Sequence, residues 1–305
     1  MENVKQSPKK SKKKKSALPV IVVIILMIAG LGVLFYPDFA HWWNSRIHWG
    51  FIHEFNESVA EMCEEEIAEH FRRAEEYNAA LNGTNIVDPF EQGSGSVLPP
   101  AYYLEVLNVN GIMGRIEIPI IEVDLPIRHT VSYEVLNRGV GHIEGTSFPI
   151  GGQGTHAVLT AHTGMRNQRM FNGLILLEYG DLFFITVLDR KIAYEVDNIL
   201  IVLPHEIETL RISQEADYVT LVTCYPYGIN SHRLLVRGAR TDYIPGMEED
   251  IETILREIDW RLVIIIAFAV LFSLLFLIMA IRKKKKKRLN QEKQKKLAEH
   301  EELGE

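Results

Sequence analysis

The alternation of apolar and polar positions divides the chain into two long apolar runs with a patterned region between them. Residues 18–36 are almost wholly apolar, interrupted only by Pro19, Gly30 and Gly32, and residues 262–281 are apolar over 20 positions except for Ser273. Each run is long enough to cross a hydrocarbon core of about 30 Å. Between them, residues 51–81 carry a helical stripe: Ile52, Phe55, Val59 and Met62 recur at spacings of three and four, and Ile67, Phe71 and Ala74 continue it. Glu61, Glu64, Glu65, Glu66 and Glu69 load the other faces, and Asn82-Gly83 is a plausible stop. This stripe reads as a stalk or packing helix.

Residues 82–100 have no periodicity and are rich in Gly, Ser, Asn and Pro, so they read as a long loop. From Gly111 onward strand patterns dominate, over 113–118, 123–128, 156–161, 182–187, 192–202, 218–224 and 233–240. Short helical pieces around 132–137 and 171–177 break the series. Many short strands with few helices predict a mostly β fold, a closed or nearly closed β-barrel. Residues 251–258 are expected to run as a helix into the second apolar run.

Charge sets the expected orientation. Lys9, Lys10 and Lys12 to Lys15 precede the first run; Arg282, Lys283 to Lys287 and Arg288 follow the second. Basic flanks stay in the cytoplasm, so both termini are expected inside and the region between the spans outside, at the cell membrane. No small-residue cleavage site follows residue 36, which favours a retained span over a signal peptide. The lysine runs read as topology signals that touch anionic lipid, and no nucleic-acid partner is expected. The overall net charge of −7 hides a segregation: residues 37–259 hold 15 Lys and Arg against 34 Asp and Glu, a net charge of −19. That acidity argues against anionic ligands. Two cysteines in a domain of this size do not form a disulfide framework. Cys63 lies on the helical stripe and reads as an inert packing residue.

The chemistry concentrates near Cys224. The run Thr220-Leu-Val-Thr-Cys224 is a strand that stops at a cysteine. A loop with Pro226, Gly228 and Asn230 follows, and a second strand begins at Arg233. If the two strands pair antiparallel, Cys224 and Arg233 face each other at the mouth of the loop. A neighbouring cation favours the thiolate, and a guanidinium offers fixed donors to an oxyanion. A cysteine nucleophile needs a proton partner, usually histidine. Of the 11 histidines, His162 stands at a strand end before Thr163-Gly164, where a polar side chain opens onto a rim; His142 and His232 are its rivals. No pair has zinc-ligand spacing, and no cofactor is implied.

The motif Thr220-Leu-Val-Thr-Cys224 resembles the T-L-x-T-C signature of sortases. Its continuation from Pro226 to Gly238, with Gly139-Val-Gly-His-Ile-Glu-Gly-Thr-Ser-Phe-Pro149 and Leu159-Thr-Ala-His162-Thr-Gly164 upstream, is similar to the pilin-polymerising branch, class C. The likeness covers about residues 85–245. One departure is Thr163-Gly164-Met165, where relatives often have Arg-Gly-Leu.

The resemblance implies a sortase-type barrel and a membrane-anchored cysteine transpeptidase. Cys224 would be the nucleophile, His162 the general acid/base and Arg233 the stabiliser of oxyanion or substrate. The implied substrates are pilins or surface proteins with an LPxTG-type sorting signal, cut between Thr and Gly. An acceptor lysine of the next pilin would then resolve the thioacyl enzyme. The motif Asp88-Pro89-Phe90 resembles the lid of pilus-type sortases, with Asp88 paired to Arg233 and Phe90 over the thiol. A sortase that attaches single proteins to cell-wall peptide, and a non-catalytic surface binding module, are the alternatives. The expected organisation is a basic cytoplasmic tail (1–17), a span (18–36), a helical region (37–81), a lid loop (82–100) and a catalytic barrel (101–245). A juxtamembrane helix (246–261), a second span (262–281) and a basic tail (282–305) complete it.

Overall fold

The structure is a computed structural model that describes residues 18–81, 90, 101–165, 168–206, 210, 216–248, 269, 281–285 and 288–292. It divides into two compact units, Met1–Glu248 and Glu249–Glu305. The described parts of the second unit around residues 281–285 and 288–292 are exposed helix.

In the first unit a closed barrel is formed by β1 (Gly114–Ile118), β2 (Val123–His129), β3 (Val140–His142), β4 (Thr155–Thr160), β5 (Leu182–Val187), β6 (Arg190–Val202), β7 (Asp217–Tyr225) and β8 (His232–Thr241). Around the barrel the strands run β1-β2-β3-β4-β7-β8-β6-β5, with β1 and β5 paired to close it. Two junctions are parallel, β2 with β3 and β4 with β7; the other neighbours are antiparallel. Closure leaves no open sheet edge.

Alternation along the strands separates two apolar sets. Ile116, Ile127, Leu159, Ile185, Leu221, Leu234 and Val236 belong to the main core. Val158, Val222 and Leu235 instead join Ile143 and Leu210 in a second cluster on the opposite side of β4, β7 and β8. Here a strand is apolar on both faces, which the period-2 rule allows only where both faces are covered.

Strand β3 is three residues long and was not among the expected strands. It lies between β2 and β4, and Gly141 lets it: a Cβ there would come within 2.4 Å of the Thr130 carbonyl oxygen. A stretch this short shows no alternation to read.

The N-terminal helices depart from the expected boundaries. Helix α1 (Leu18–Glu61) runs unbroken through Pro37, so the expected span (18–36) and the start of the expected helical region (37–81) form one helix. The stripe over 51–81 is two helices, because the chain breaks at Cys63 and restarts as α2 (Glu64–Ala80). Cys63 is therefore not a packing residue within a helix. It is exposed and caps α2, with its backbone N–H donating to Glu66 Oε2 at 3.1 Å. Among the described residues no helix is long and apolar enough to cross a membrane. The second expected span lies outside the described residues apart from Ala269 and Ile281, as does the expected juxtamembrane helix beyond Glu248.

Helix α2 and the short α3 (Ala101–Glu105) dock on the barrel through an aromatic cluster centred on Phe148. Tyr77 lies 4.5 Å from the Phe148 ring, Tyr103 stacks on it at 5.4 Å and His142 at 5.4 Å. Asn78 brackets the Phe148 backbone, accepting its N–H at 2.7 Å and donating to its carbonyl at 3.3 Å. His142, fully buried, is a structural element of this cluster: its Nε2 lies 2.8 Å from the Ser147 carbonyl and its Nδ1 2.8 Å from the Tyr103 hydroxyl. These partners suit a neutral imidazole that donates from Nε2 and accepts at Nδ1.

Burial lowers the His142 pKa to about 3, against the opposing hydrogen bond to Ser147 and with a smaller push from His129. The unfolded chain protonates this residue near 6.5 and the folded chain does not, so its contribution is intact above pH 6.5 and is lost as the pH falls below it. One such group gives a slope of about 1.4 kcal/mol per pH unit. His142→Gln should be less stable than wild type at pH 7, yet lose stability less steeply between pH 6.5 and 5, by about that slope. Urea unfolding at stepped pH measures this, and an unchanged slope would mean His142 titrates normally.

Candidate active site

Cys224 is the penultimate residue of β7 and pairs with Arg233, near the start of β8, in the antiparallel register. The loop between them is held by backbone bonds from Ile229 and Asn230 N–H to the Pro226 carbonyl, at 3.1 and 2.9 Å. Asn230 adopts a left-handed φ of 59°, a conformation asparagine tolerates better than most residues. Its carbonyl and that of His232 each accept from Arg233 Nη1 at 3.0 Å. Arg233 is thus fixed by the turn it closes, and it is only 6% exposed.

His162 arrives from β4. In the parallel pairing of β4 with β7, Thr160 is level with Val222, and the Ala161 N–H donates to the Val222 carbonyl at 3.3 Å. Continuing that register brings His162 level with Cys224. Threonines lock the two strand ends: Thr223 Oγ1 donates to the Ala161 carbonyl at 2.8 Å and Thr160 Oγ1 to the Val222 carbonyl at 3.1 Å. Thr220, the other threonine of the cysteine motif, lies 2.7 Å from His156 Nε2. Both motif threonines therefore fasten the cysteine strand to the histidine strand.

After His162 the chain turns sharply, and Asn172 organises the turn. Its Oδ1 accepts the Gly164 N–H at 2.7 Å, and its Nδ2 donates to the Met165 and Gln168 carbonyls at 3.0 and 3.1 Å. The Phe171 N–H donates to the His162 carbonyl at 3.1 Å. Gly164 has φ +87°, and a Cβ there would lie 3.5 Å from the Tyr227 ring, which comes from the loop after Cys224. Asn172 and Tyr227 had no signal in the sequence; their partners are distant along the chain or backbone atoms. Burial alone pushes the His162 pKa below its ordinary value, which favours the neutral imidazole.

The rival histidines serve elsewhere. His142 is fully buried, as described above; His129 and His156 are buried and bonded to the Val106 carbonyl and to Thr220. His232 lies on the rim, with Nδ1 2.8 Å from Ser231 Oγ. Of the expected lid residues, Asp88 and Pro89 lie outside the described residues. Phe90 is described. Its ring centroid is 5.8 Å from that of His162 and 5.2 Å from the Arg233 guanidinium carbon, and it packs on the apolar cluster of Ile143, Val158, Leu210, Val222 and Leu235. One aromatic ring thus lies against both the imidazole and the guanidinium, a favourable contact for the cation.

The family model described as Sortase domain matches residues 116–241. Among solved structures, the chain is similar to sortase C-1 of Streptococcus pneumoniae, 42% identical, with a TM-score of 0.62 over 64% of this chain and 100% of that one. It is also similar to sortase C1 of GBS pilus island 1, 43% identical, with a TM-score of 0.59 over 64% of this chain and 92% of that one. Sortase A of Bacillus anthracis is 26% identical over 132 residues, 43% of this chain and 61% of that protein, less than two thirds of its length.

The position of Phe90 generates a direct test. Phe90→Ala should raise the rate at which iodoacetamide modifies Cys224 severalfold, in a Cys63→Ser background so that one thiol reports. Time-resolved mass spectrometry measures the rate, and equal rates with and without the ring would show that Phe90 does not screen the thiol.

Proposed function

This chain belongs to the sortase family, and on that premise we propose that it is a membrane-anchored cysteine transpeptidase that joins pilin subunits. The observation that carries the reading is the register: Cys224 opposite Arg233, with His162 delivered by the adjoining parallel strand. Cys224 attacks the carbonyl of the Thr–Gly bond in an LPxTG-type signal. Arg233 stabilises the developing oxyanion, and its fixed planar donors suit that role better than a mobile ammonium. His162 protonates the departing amine and later takes a proton from the incoming one. The thioester conserves the energy of the broken amide, so transfer needs no nucleotide. The apolar cluster beside the thiol, with Val158, Val222 and Leu235, offers a surface for the apolar start of such a signal.

Pilin joining is preferred over the attachment of single proteins because the solved relatives are C-type sortases, one of them from a pilus island. The aromatic ring at residue 90 supports a lid, completed by Asp88 and Pro89, that covers the site until a pilin arrives. In this proposal residues 18–36 and 262–281 span the membrane, both termini are cytoplasmic, and the barrel faces outward. The basic runs at both ends support that orientation.

Membranes carrying the full chain, mixed with candidate pilins, should yield covalent ladders that resist sodium dodecyl sulfate. Cys224→Ala should abolish both ladders and cleavage of an LPxTG peptide. Arg233→Lys, which keeps the charge but not the planar fork, should lose on the order of 10²–10³ in rate. Residual turnover in Cys224→Ala would overturn the assignment of the nucleophile, and a near-wild-type Arg233→Lys would reduce Arg233 to a source of positive charge.

Topology has its own test. Reporter fusions at Met1 and at Glu305 should both give an intracellular signal. An external signal at either end would overturn the orientation.

A further inference from the structure

Residues 37–259 contain 14 arginines and a single lysine, Lys191. In the rest of the chain the balance reverses, with 15 lysines and three arginines. Solubility and general charge do not explain this, because either residue supplies a positive charge. They differ in nucleophilicity: a guanidinium stays protonated, whereas an ammonium can lose its proton and attack an acyl group. The chain is therefore poor in amines in the stretch that carries the thiol, and rich in them only in the flanks.

The one lysine is remote from the thiol and tied down. It stands at the start of β6, whereas Val202 at the other end of that strand pairs with Arg233. Eleven residues at 3.3 Å per residue make roughly 35 Å along the strand. Lys191 Nζ is 2.8 Å from Glu117 Oε2 and 2.7 Å from Glu248 Oε1. The Phe184 and Tyr243 rings lie 5.3 and 5.7 Å from the same nitrogen. Its side chain is 18% exposed. Burial draws its pKa down, but the two carboxylates outweigh burial and hold it above the ordinary lysine value. A cation so held is a poor nucleophile.

We propose that the domain bearing Cys224 excludes acceptor amines from its surface, so that its thioacyl intermediate passes to a partner's lysine and never to the enzyme itself. This rests on the transpeptidase reading above. The reaction avoided is aminolysis in place: an uncharged lysine nitrogen attacks the thioester carbonyl, the C–N bond forms and the C–S bond breaks. The proton lost by the nitrogen passes through His162 to the Cys224 sulfur. The product would be an amide that blocks the enzyme and wastes the pilin.

The test restores an amine beside the thiol. Ile229 is 71% exposed on the loop between Cys224 and Arg233, so Ile229→Lys adds an amine there and Ile229→Arg adds charge alone. The full chain in detergent is incubated with an LPxTG peptide, treated with hydroxylamine to clear thioesters, and mapped by mass spectrometry. Ile229→Lys should carry a hydroxylamine-resistant acyl group at position 229, at least tenfold above any such adduct on wild type or Ile229→Arg. The double variant Cys224→Ala with Ile229→Lys should carry none. An Ile229→Lys enzyme that cleaves the peptide and passes it to a free lysine peptide, yet stays unmodified, overturns the proposal and leaves the transpeptidase reading standing. Wild-type enzyme acylated on Lys191 also overturns it. Wild-type enzyme that neither cleaves the peptide nor forms covalent ladders with a pilin overturns both.

Discussion

The parallel pairing of β4 with β7 is the constraint on which the site depends. Parallel strands end on the same side of a sheet, so two chemical groups at the ends of such strands emerge together. His162 follows β4 and Cys224 lies near the end of β7, and the Thr160–Val222 register makes them neighbours although 62 positions separate them in the chain. The antiparallel turn into β8 then supplies Arg233 on the other side. Three residues from three strands meet because one junction is parallel and the next is antiparallel. The hydroxyls of Thr160 and Thr223 reinforce the parallel junction where its ladder runs out.

That geometry explains why residues outside the chemistry matter. Backbone groups at strand ends lose their ladder partners, and buried groups without partners are costly. Asn172 supplies three such bonds to the turn after His162, and Arg233 supplies two to the turn before β8. The same logic holds on the other flank of β4, next to β3, where Asn78 and the neutral His142 satisfy the backbone at Phe148 and Ser147 while their neighbours form an apolar stack. Polar bonding and ring packing there fasten α2 and α3 to the barrel.

Electrostatics divides the molecule by task. The carboxylate-rich surface is answered by arginine, whose paired geometries recur: Arg115 with Asp124, Arg237 with Asp197, Arg240 with Asp217. Such half-exposed pairs are worth little individually in stability. Their use of arginine in place of lysine nevertheless fits a surface on which an amine would be an unwanted reactant. The partial burial of His162 favours its neutral form, and the ring of Phe90 lies against it.

The sequence by itself determined the mostly β barrel, since period-2 runs separated by turn residues leave few other folds, and seven of the eight strands were legible to within two residues at each end. It also identified Cys224 and Arg233 as facing residues, because a short antiparallel loop brings the ends of its own strands together. It misread Cys63 as packed, because the helical stripe continues across the break that the Cys63 cap makes. It did not reveal β3, whose three residues are too few for a pattern. Only the tertiary structure decided that β4 pairs with β7, that Asn172 and Tyr227 hold the histidine turn, and that Phe90 lies on both His162 and Arg233. Each of these joins segments distant along the chain or uses backbone atoms, and neither leaves a mark in local composition.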